Sequence, residues 1–312
     1  MQLLLRRDAL LLAALQTVPD LPVAPAAVWP AAVPRATFGV QIYDDETAHR
    51  LTLQAVASGF RSFFTSPEAG NQRGFAAAIR ECGVPRSQLF VAGSLLCDDA
   101  DSFAAARRQT AAALAASMRE LRAGGVDSLD LLLLERPASS ASAIRGQWKG
   151  LQEGQTTGAL LGVCNFDLPE LDVVLRASRD WRGAPPCVNQ LPFSLGVRMD
   201  HAGMMRAHAA RGVGVQAWGP LGGPDALIPK AVLAEADAIG RAQARRRSAY
   251  AVALRWVVQQ GAGFVVHSRL PSHLQDDLEA LEFELTEEEV HIYIYGSICL
   301  SLSFSLSLSL SL

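Results

Sequence analysis

Between residues 37 and about 290, short apolar runs alternate with amphipathic stretches eight times, and that alternation leaves few architectures open to the chain. The runs are Phe38–Gln41, Ser62–Phe64, Leu89–Gly93, Leu129–Leu134, Leu160–Val163, Val188–Leu191, Val213–Trp218 and Phe264–His267. They are apolar on both faces, as strands of a buried parallel sheet are. Helical patterns lie between them, among them Thr47–Ser58, Gln72–Cys82, Ala104–Gly124 and Met199–Arg211. Eight strand–helix units in about 250 residues fit a single-domain α/β fold, the (β/α)8 TIM barrel. The last helix has a defined start, because Thr286 and Glu289 have the spacing of a capping box.

The flanks do not share this pattern. Residues 1–36 are rich in Leu, Ala and Pro, with Arg6-Arg7 ahead of an apolar run from Ala9 to Leu15 and Ala24-Pro25-Ala26 beyond it. A basic pair, a short apolar core and a small-residue site describe a cleaved leader for export or an organelle. The other reading is a disordered extension on a cytoplasmic protein. The apolar run is too short to span a bilayer. Residues 291–312 alternate Leu and Ser almost without interruption. This low-complexity tail has strand periodicity and an aggregation-prone composition, and reads as a translated simple repeat rather than an interaction strand. The expected division is therefore 1–36, 37–290 and 291–312. Deleting the first segment is expected to leave the barrel's stability nearly unchanged, because its composition offers little to bury.

Charge and cysteine usage narrow the function classes. The formal net charge is -3, and the one basic run, Arg241 with Arg245, Arg246 and Arg247, closes a helical pattern where cations suit the helix dipole. Nothing here is built for nucleic acid. The five cysteines are scattered without metal-ligand spacing, so no metal site is expected.

The segment GFRSFFTSPEAGNQ at 59–72 carries the most specific signal. With GVPRSQLF at 83–90, VDSLDLLLLERP at 126–137, GVCNF at 162–166, VNQLPFS at 188–194, VQAWGPLG at 215–222 and LRWVVQQG at 254–261, it resembles the aldo-keto reductases, motif by motif and in order, over roughly residues 37–290. The resemblance implies the same barrel and a nominal NADP-linked oxidoreductase. In that family a Tyr donates a proton to the reduced carbonyl, a Lys lowers the phenol pKa, an Asp pairs with the Lys and a His orients the carbonyl. Carried across, the Asp falls on Phe64, the Tyr on Ala69, the Lys on Ser94 and the His on Glu135. None of these four can fill its family role, so the standard proton delivery is expected to be lost. Tyr43, just after the first strand, and Glu135 are the candidates for a relocated proton donor.

The cofactor side departs less. The residues that would hold the nicotinamide carboxamide are Cys164, Asn165 and Gln190, and Trp218 stands where an aromatic stacks on the ring. The positions that grip the adenosine 2'-phosphate and adenine become His267, Ser268, His273 and Asp277. Two permanent cations are thus replaced by imidazoles of ordinary pKa near 6.5. NADP or NAD is the implied cofactor, with NADPH affinity expected to rise as pH falls through about 6.5. The sequence supports a non-catalytic barrel that binds a nucleotide, a small metabolite or a protein partner. It also leaves open an active reductase with a moved donor, and a decayed gene product.

Overall fold

The computed structural model of the protein describes residues 28–155, 158–197, 199–222 and 228–290. The leader motif and the Leu/Ser tail lie outside these. Eight strands, β1 (Ala36–Gly39), β2 (Ser62–Thr65), β3 (Phe90–Leu95), β4 (Leu131–Leu134), β5 (Leu160–Cys164), β6 (Val188–Pro192), β7 (Gly214–Trp218) and β8 (Gly263–Val266), pair in parallel. The β1–β8 ladder, with Thr37 opposite Val265, closes the sheet on itself in chain order. The helices are α1 (Asp45–Ala57), α2 (Gln72–Glu81), α3 (Phe103–Gly124), α4 (Ala141–Gly154), α5 (Leu168–Trp181), α6 (His201–Ala209), α7 (Lys230–Ala242), α8 (Ala249–Gln259) and α9 (Pro271–Glu279). They wrap the barrel, and the expected capping box at Thr286 and Glu289 is present in both directions, at 2.7 and 3.2 Å.

Alternation along each strand divides the apolar residues between two cores. Phe64, Ala92, Leu131, Leu133, Cys164, Val188 and Val265 fill the inside of the barrel. Their neighbours, including Phe38, Phe63, Val91, Leu132, Leu134, Val163 and Phe264, face the helices. The inner core is not wholly apolar. Cys164 Sγ donates to Gln190 Oε1 at 3.4 Å, Gln190 Nε2 donates to Gln216 Oε1 at 2.9 Å, Gln216 Nε2 reaches Thr37 Oγ1 at 3.4 Å, and Thr37 and Ser62 share a hydrogen bond of 2.9 Å. Five strands thus contribute one polar belt, whose members satisfy one another out of contact with water.

Two expectations need correction. The first strand was expected at Phe38–Gln41 but spans Ala36–Gly39: it starts where Ala36 pairs with Phe264 of β8, and it ends early because the chain turns after Gly39, with Tyr43 N–H bonding the Val40 carbonyl at 3.2 Å. The second concerns the segment before the barrel. Val33 is buried in the inner core, and Trp29 packs against that core while its indole N–H donates to the Val33 carbonyl at 2.6 Å. The ring lies so close to the start of β8 that a Cβ on Gly263 would strike it. Arg35 stands over the same ring at 5.2 Å and donates to the carbonyls of Gly261 and Ala262, both at 2.9 Å. Residues 28–35 therefore close the N-terminal end of the barrel. A barrel end left open would expose Val188 at the start of β6 and Val33 itself, so the segment expected to be dispensable covers apolar surface.

Candidate functional site

Inward-facing positions continue past the C-terminal ends of the strands in steps of two, and they build the opposite mouth. Above Phe64 comes Ser66, above Ala92 comes Ser94, and above Leu133 comes Glu135. The three polar residues meet. Glu135 Oε2 accepts from Ser94 Oγ at 2.5 Å and from Ser66 Oγ at 3.0 Å. Both serines are fully buried, whereas Glu135 is partly exposed to the mouth. Phe64 lies immediately below as part of the inner core. Ala69 ends the single 3-10 turn Pro67–Ala69 that follows β2, which Ser66 caps by accepting from Glu68 N at 3.3 Å. Phe64, Ala69, Ser94 and Glu135 thus all sit at the C-terminal ends of β2, β3 and β4. Ser66 is the residue that sequence reasoning passed over. Its signal was a hydroxyl beside Thr65, on the same strand face as Phe64.

Asn165 links this cluster to the next strands. It adopts a left-handed conformation, φ 60°, right after β5. Its side-chain Nδ2 donates to the Glu135 carbonyl at 3.1 Å, and its Oδ1 accepts from Trp218 Nε1 at 2.9 Å. A non-glycine residue at positive φ is uncommon, and Asn is among those that tolerate it. Trp218 itself is 39% exposed, with its indole at the rim. Cys164 and Gln190 lie deeper, inside the polar belt. Burial, and secondarily the charge of Glu135, push the Cys164 thiol well above its usual pKa, so it is a neutral packing group.

The far side of the mouth, where β8 meets β1, has a different character. Tyr43 is buried, with His267 edge-on to its ring at 6.5 Å and the Arg269 guanidinium over it at 5.2 Å. Burial raises the Tyr43 pKa, partly offset by Arg269. His267 Nδ1 donates to the Gly39 carbonyl at 2.9 Å. One side of this ring is open to solvent while protein surrounds the rest, and the net effect of desolvation is to lower its pKa. The titration expected near 6.5 therefore moves lower at this position. Ser268 closes a turn, accepting from Leu270 N at 3.3 Å, and His273 is exposed in the first turn of α9. Asp277 is buried on α9, and burial with the charge of Asp276 raises its pKa to about 7. In a closed ring of eight strands, β8 is diametrically opposite β4. The two candidate proton donors, Tyr43 and Glu135, therefore belong to opposite sides of the mouth. Asn71 fixes the Tyr43 loop by donating to the carbonyls of Val40 and Tyr43, at 2.6 and 2.7 Å.

Among the described residues no group of His, Cys, Asp and Glu is arranged to hold a metal ion, and no helix is long and apolar enough to cross a membrane.

Comparison with known proteins agrees with this architecture. Residues 36–293 match the model of the aldo/keto reductase family. An aldo-keto reductase of Mycolicibacterium vanbaalenii is 31% identical over 260 residues, covering 83% of this chain and 86% of that one. A methylglyoxal reductase of Escherichia coli is 26% identical over 262 residues, covering 83% and 87%. Among solved structures, an aldo-keto reductase from a Medee basin deep-sea metagenome library superposes with a TM-score of 0.71 at 20% identity, over 84% of this chain and 91% of that one. An aldo/keto reductase from Brucella melitensis gives 0.68 at 24% identity, over 87% and 98%. With its closed eight-stranded barrel, its polar mouth at the strand C-termini and a family match spanning most of its length, the chain belongs to the aldo/keto reductase family.

Proposed function

We propose that this chain is an aldo/keto-reductase barrel that binds a nicotinamide nucleotide or a small metabolite at its mouth and does not reduce carbonyls by the family's usual proton delivery. The observation that carries the reading is the Ser66–Glu135–Ser94 cluster. Where carbonyl reduction needs a phenol beside an ammonium, the mouth has a carboxylate held by two hydroxyls over Phe64, and Ala69 ends the turn after β2. Neither a serine hydroxyl nor a methyl group can deliver a proton to a developing alkoxide at neutral pH.

The residues fit the two ends of a nicotinamide nucleotide unequally. At the nicotinamide end, the exposed face of Trp218 and the amide of Asn165 share one rim. A bound nucleotide would supply the hydride chemistry of the family, with Asn165 and Trp218 positioning its ring; Gln190 lies below them, its amide taken up by Cys164 and Gln216. The adenosine 2'-phosphate end is weaker, because His267 has a lowered pKa and Asp277 is a buried acid. NADH is accordingly the better match of the two at neutral pH, with Arg269 the permanent cation beside this end among the described residues.

The test is a steady-state assay with NADPH and NADH against reactive aldehydes. Methylglyoxal belongs among them, given the similar Escherichia coli enzyme. No turnover above background is expected. Turnover abolished by Tyr43→Phe or by Glu135→Gln would establish the second reading, a reductase with a moved donor. Arg269 against the Tyr43 ring is the feature that favours it.

A further inference from the structure

Behind the mouth, a buried histidine is joined to Asn165 by a chain of hydrogen bonds. On β6, Gln190 faces the barrel interior, so its neighbour Asn189 faces the helices. The Asn189 side chain is fully buried, and its Nδ2 donates both hydrogens, to the Phe166 carbonyl at 2.8 Å and to His208 Nε2 on α6 at 3.2 Å. His208 is 2% exposed, and its Nδ1 lies 2.9 Å from the Met204 carbonyl. A carbonyl only accepts, so Nδ1 carries the ring hydrogen and Nε2 presents the lone pair that Asn189 meets. Asn189 Oδ1 is buried with no partner. Two acceptors alone therefore set the orientation of this amide, and one of them titrates. Phe166 directly follows Asn165, which is held at φ 60°. A non-glycine residue stays in that conformation only where its surroundings fix it. The backbone is fixed here by the Asn165 N–H bond to the Gln190 carbonyl at 2.9 Å and by the Asn189 bond to the Phe166 carbonyl. From this turn, Asn165 Oδ1 accepts the Trp218 indole N–H at 2.9 Å.

We propose that His208 and Asn189 are positioning residues for the mouth: neutral His208 keeps Asn165 in place against Trp218, and a second proton on the ring releases it. A protonated ring sets Nε2–H against Nδ2–H, donor against donor. Turning the Asn189 amide over relieves that contact by offering Oδ1 to the ring. The same turn brings Oδ1 to the Phe166 carbonyl, acceptor against acceptor, and takes away the carbonyl's donor. The left-handed turn at Asn165 then loses one of its two backbone anchors. Burial, the largest influence, and the charge of Arg211 both oppose the second proton, so the release belongs below the ordinary histidine value near 6.5. Arg211 is itself paired with Asp172 of α5, at 2.8 and 2.9 Å, and His208 takes part in no ion pair among the described residues. The inference rests on the reading of this mouth as a binding site only in its consequence for a ligand.

Nuclear magnetic resonance of the indole N–H groups in the full chain tests this without a ligand, the Trp218 signal being identified by its loss in Trp218→Phe. As pH falls from about 8 to about 5, that signal should move with a midpoint below about 6.5. The signals of Trp29 and Trp148, whose N–H groups are bound to Val33 and Ser178, should stay in place. In His208→Gln an amide oxygen replaces the ring acceptor and does not titrate, so the Trp218 signal should hold its neutral position throughout. His267 follows β8, the neighbour of β7, and is the rival source of such a shift. His267→Gln should leave the transition intact, an arm that decides the question even if the His208 variant does not fold. No movement of Trp218, movement that persists in His208→Gln or is lost in His267→Gln, or movement of all the indoles together would overturn the proposal. Calorimetric titration with NAD+, which survives acid and lacks the 2'-phosphate, separates this proposal from the nucleotide reading. Its affinity should fall about three- to tenfold across the transition, the worth of one hydrogen bond, and hold steady in His208→Gln. Binding indifferent to pH overturns the proposal. No binding at any pH removes the nucleotide reading and leaves this proposal to stand on the indole shift.

Discussion

The two ends of this barrel are closed by opposite means. At the N-terminal end, Trp29 and Val33 complete an apolar core, and Arg35 ties the plug to the carbonyls of Gly261 and Ala262. At the C-terminal end, serines, a glutamate, an asparagine and an exposed indole form a rim whose bonds run among themselves. Burial of apolar area is what stabilises the first end, so its residues answer to packing. The second end keeps a carboxylate outside any ion pair among the described residues and an amide oxygen, Gln41 Oε1, with no hydrogen-bond partner. Polar groups retained at the strand C-termini of such a barrel are where binding and chemistry are found. The contrast teaches which substitutions should register in a melting curve and which in a binding curve.

The largest expected effect is at the plug. Trp29→Ala should cost about 3 kcal/mol and lower the thermal midpoint by roughly 5–10 °C, with no change in ligand binding. A shift below about 2 °C would mean that the bottom of the barrel is closed by something else.

Gln216→Ala cuts the interior belt on both sides, leaving Gln190 Nε2 without its acceptor while Thr37 keeps its bond to Ser62. A loss of about 1–3 kcal/mol in denaturant unfolding is expected from the one stranded polar group. A nearly neutral result would show that water enters the barrel and replaces the lost amide.

Asp277 offers a test through pH. Its folded pKa, about 7, lies above the unfolded value near 3.9. The native state therefore binds more protons than the unfolded one between those values, and stability falls as pH rises from about 4 to 7. Asp277→Asn should be nearly neutral at pH 4.5 and stabilising by about 1–3 kcal/mol at pH 8. The imidazoles of His201, His208 and His267, whose pKa values are lowered by desolvation, act in the other direction. They favour the folded state above their unfolded values near 6.5, which is why the comparison must be made against the Asn variant rather than on the raw profile. An equal shift at both pH values would show that Asp277 does not titrate in this window.

The smallest effect on stability is expected at the mouth. Ser94→Ala removes one of two hydroxyls from Glu135 and should cost about 1 kcal/mol in chemical denaturation. If it costs as much as Trp29→Ala, the mouth is part of the structural core and the contrast between the ends fails.

The barrel was legible in the sequence because its determinants are periodic and local. Apolar runs such as LDLLLL and VQAW read as buried strands whatever surrounds them, and Ser248, Asp167 and Ser140 cap the helices that follow them by accepting a backbone N–H three residues on. The end of β1 was misplaced because the residue that holds the turn beyond it acts from a distance. Asn71 holds the Val40–Tyr43 turn across 31 and 28 residues of sequence. The plug was missed for a related reason. A Pro- and Ala-rich segment has no periodicity, and the partners of Trp29 come from strands more than 180 residues away. At the mouth, motif positions located Phe64, Ser94 and Glu135, but pairwise geometry alone shows that Ser66 shares the carboxylate and that the Gln41 oxygen is left over.

The interior belt bears on how such a barrel comes to be whole. Its links run from Thr37 in the first strand to Gln216 in the seventh, 179 residues apart, and from there to β6 and β5. In a chain emerging from its N-terminus, Thr37 and Ser62 have each other as partners early, whereas the Gln216 amide that continues the belt arrives 179 residues later. Until β7 is in place, Gln190 Nε2 lacks its Gln216 acceptor and must be met by solvent. Closure of the belt thus belongs with the long-range contacts, whose formation requires the chain between them to be looped first.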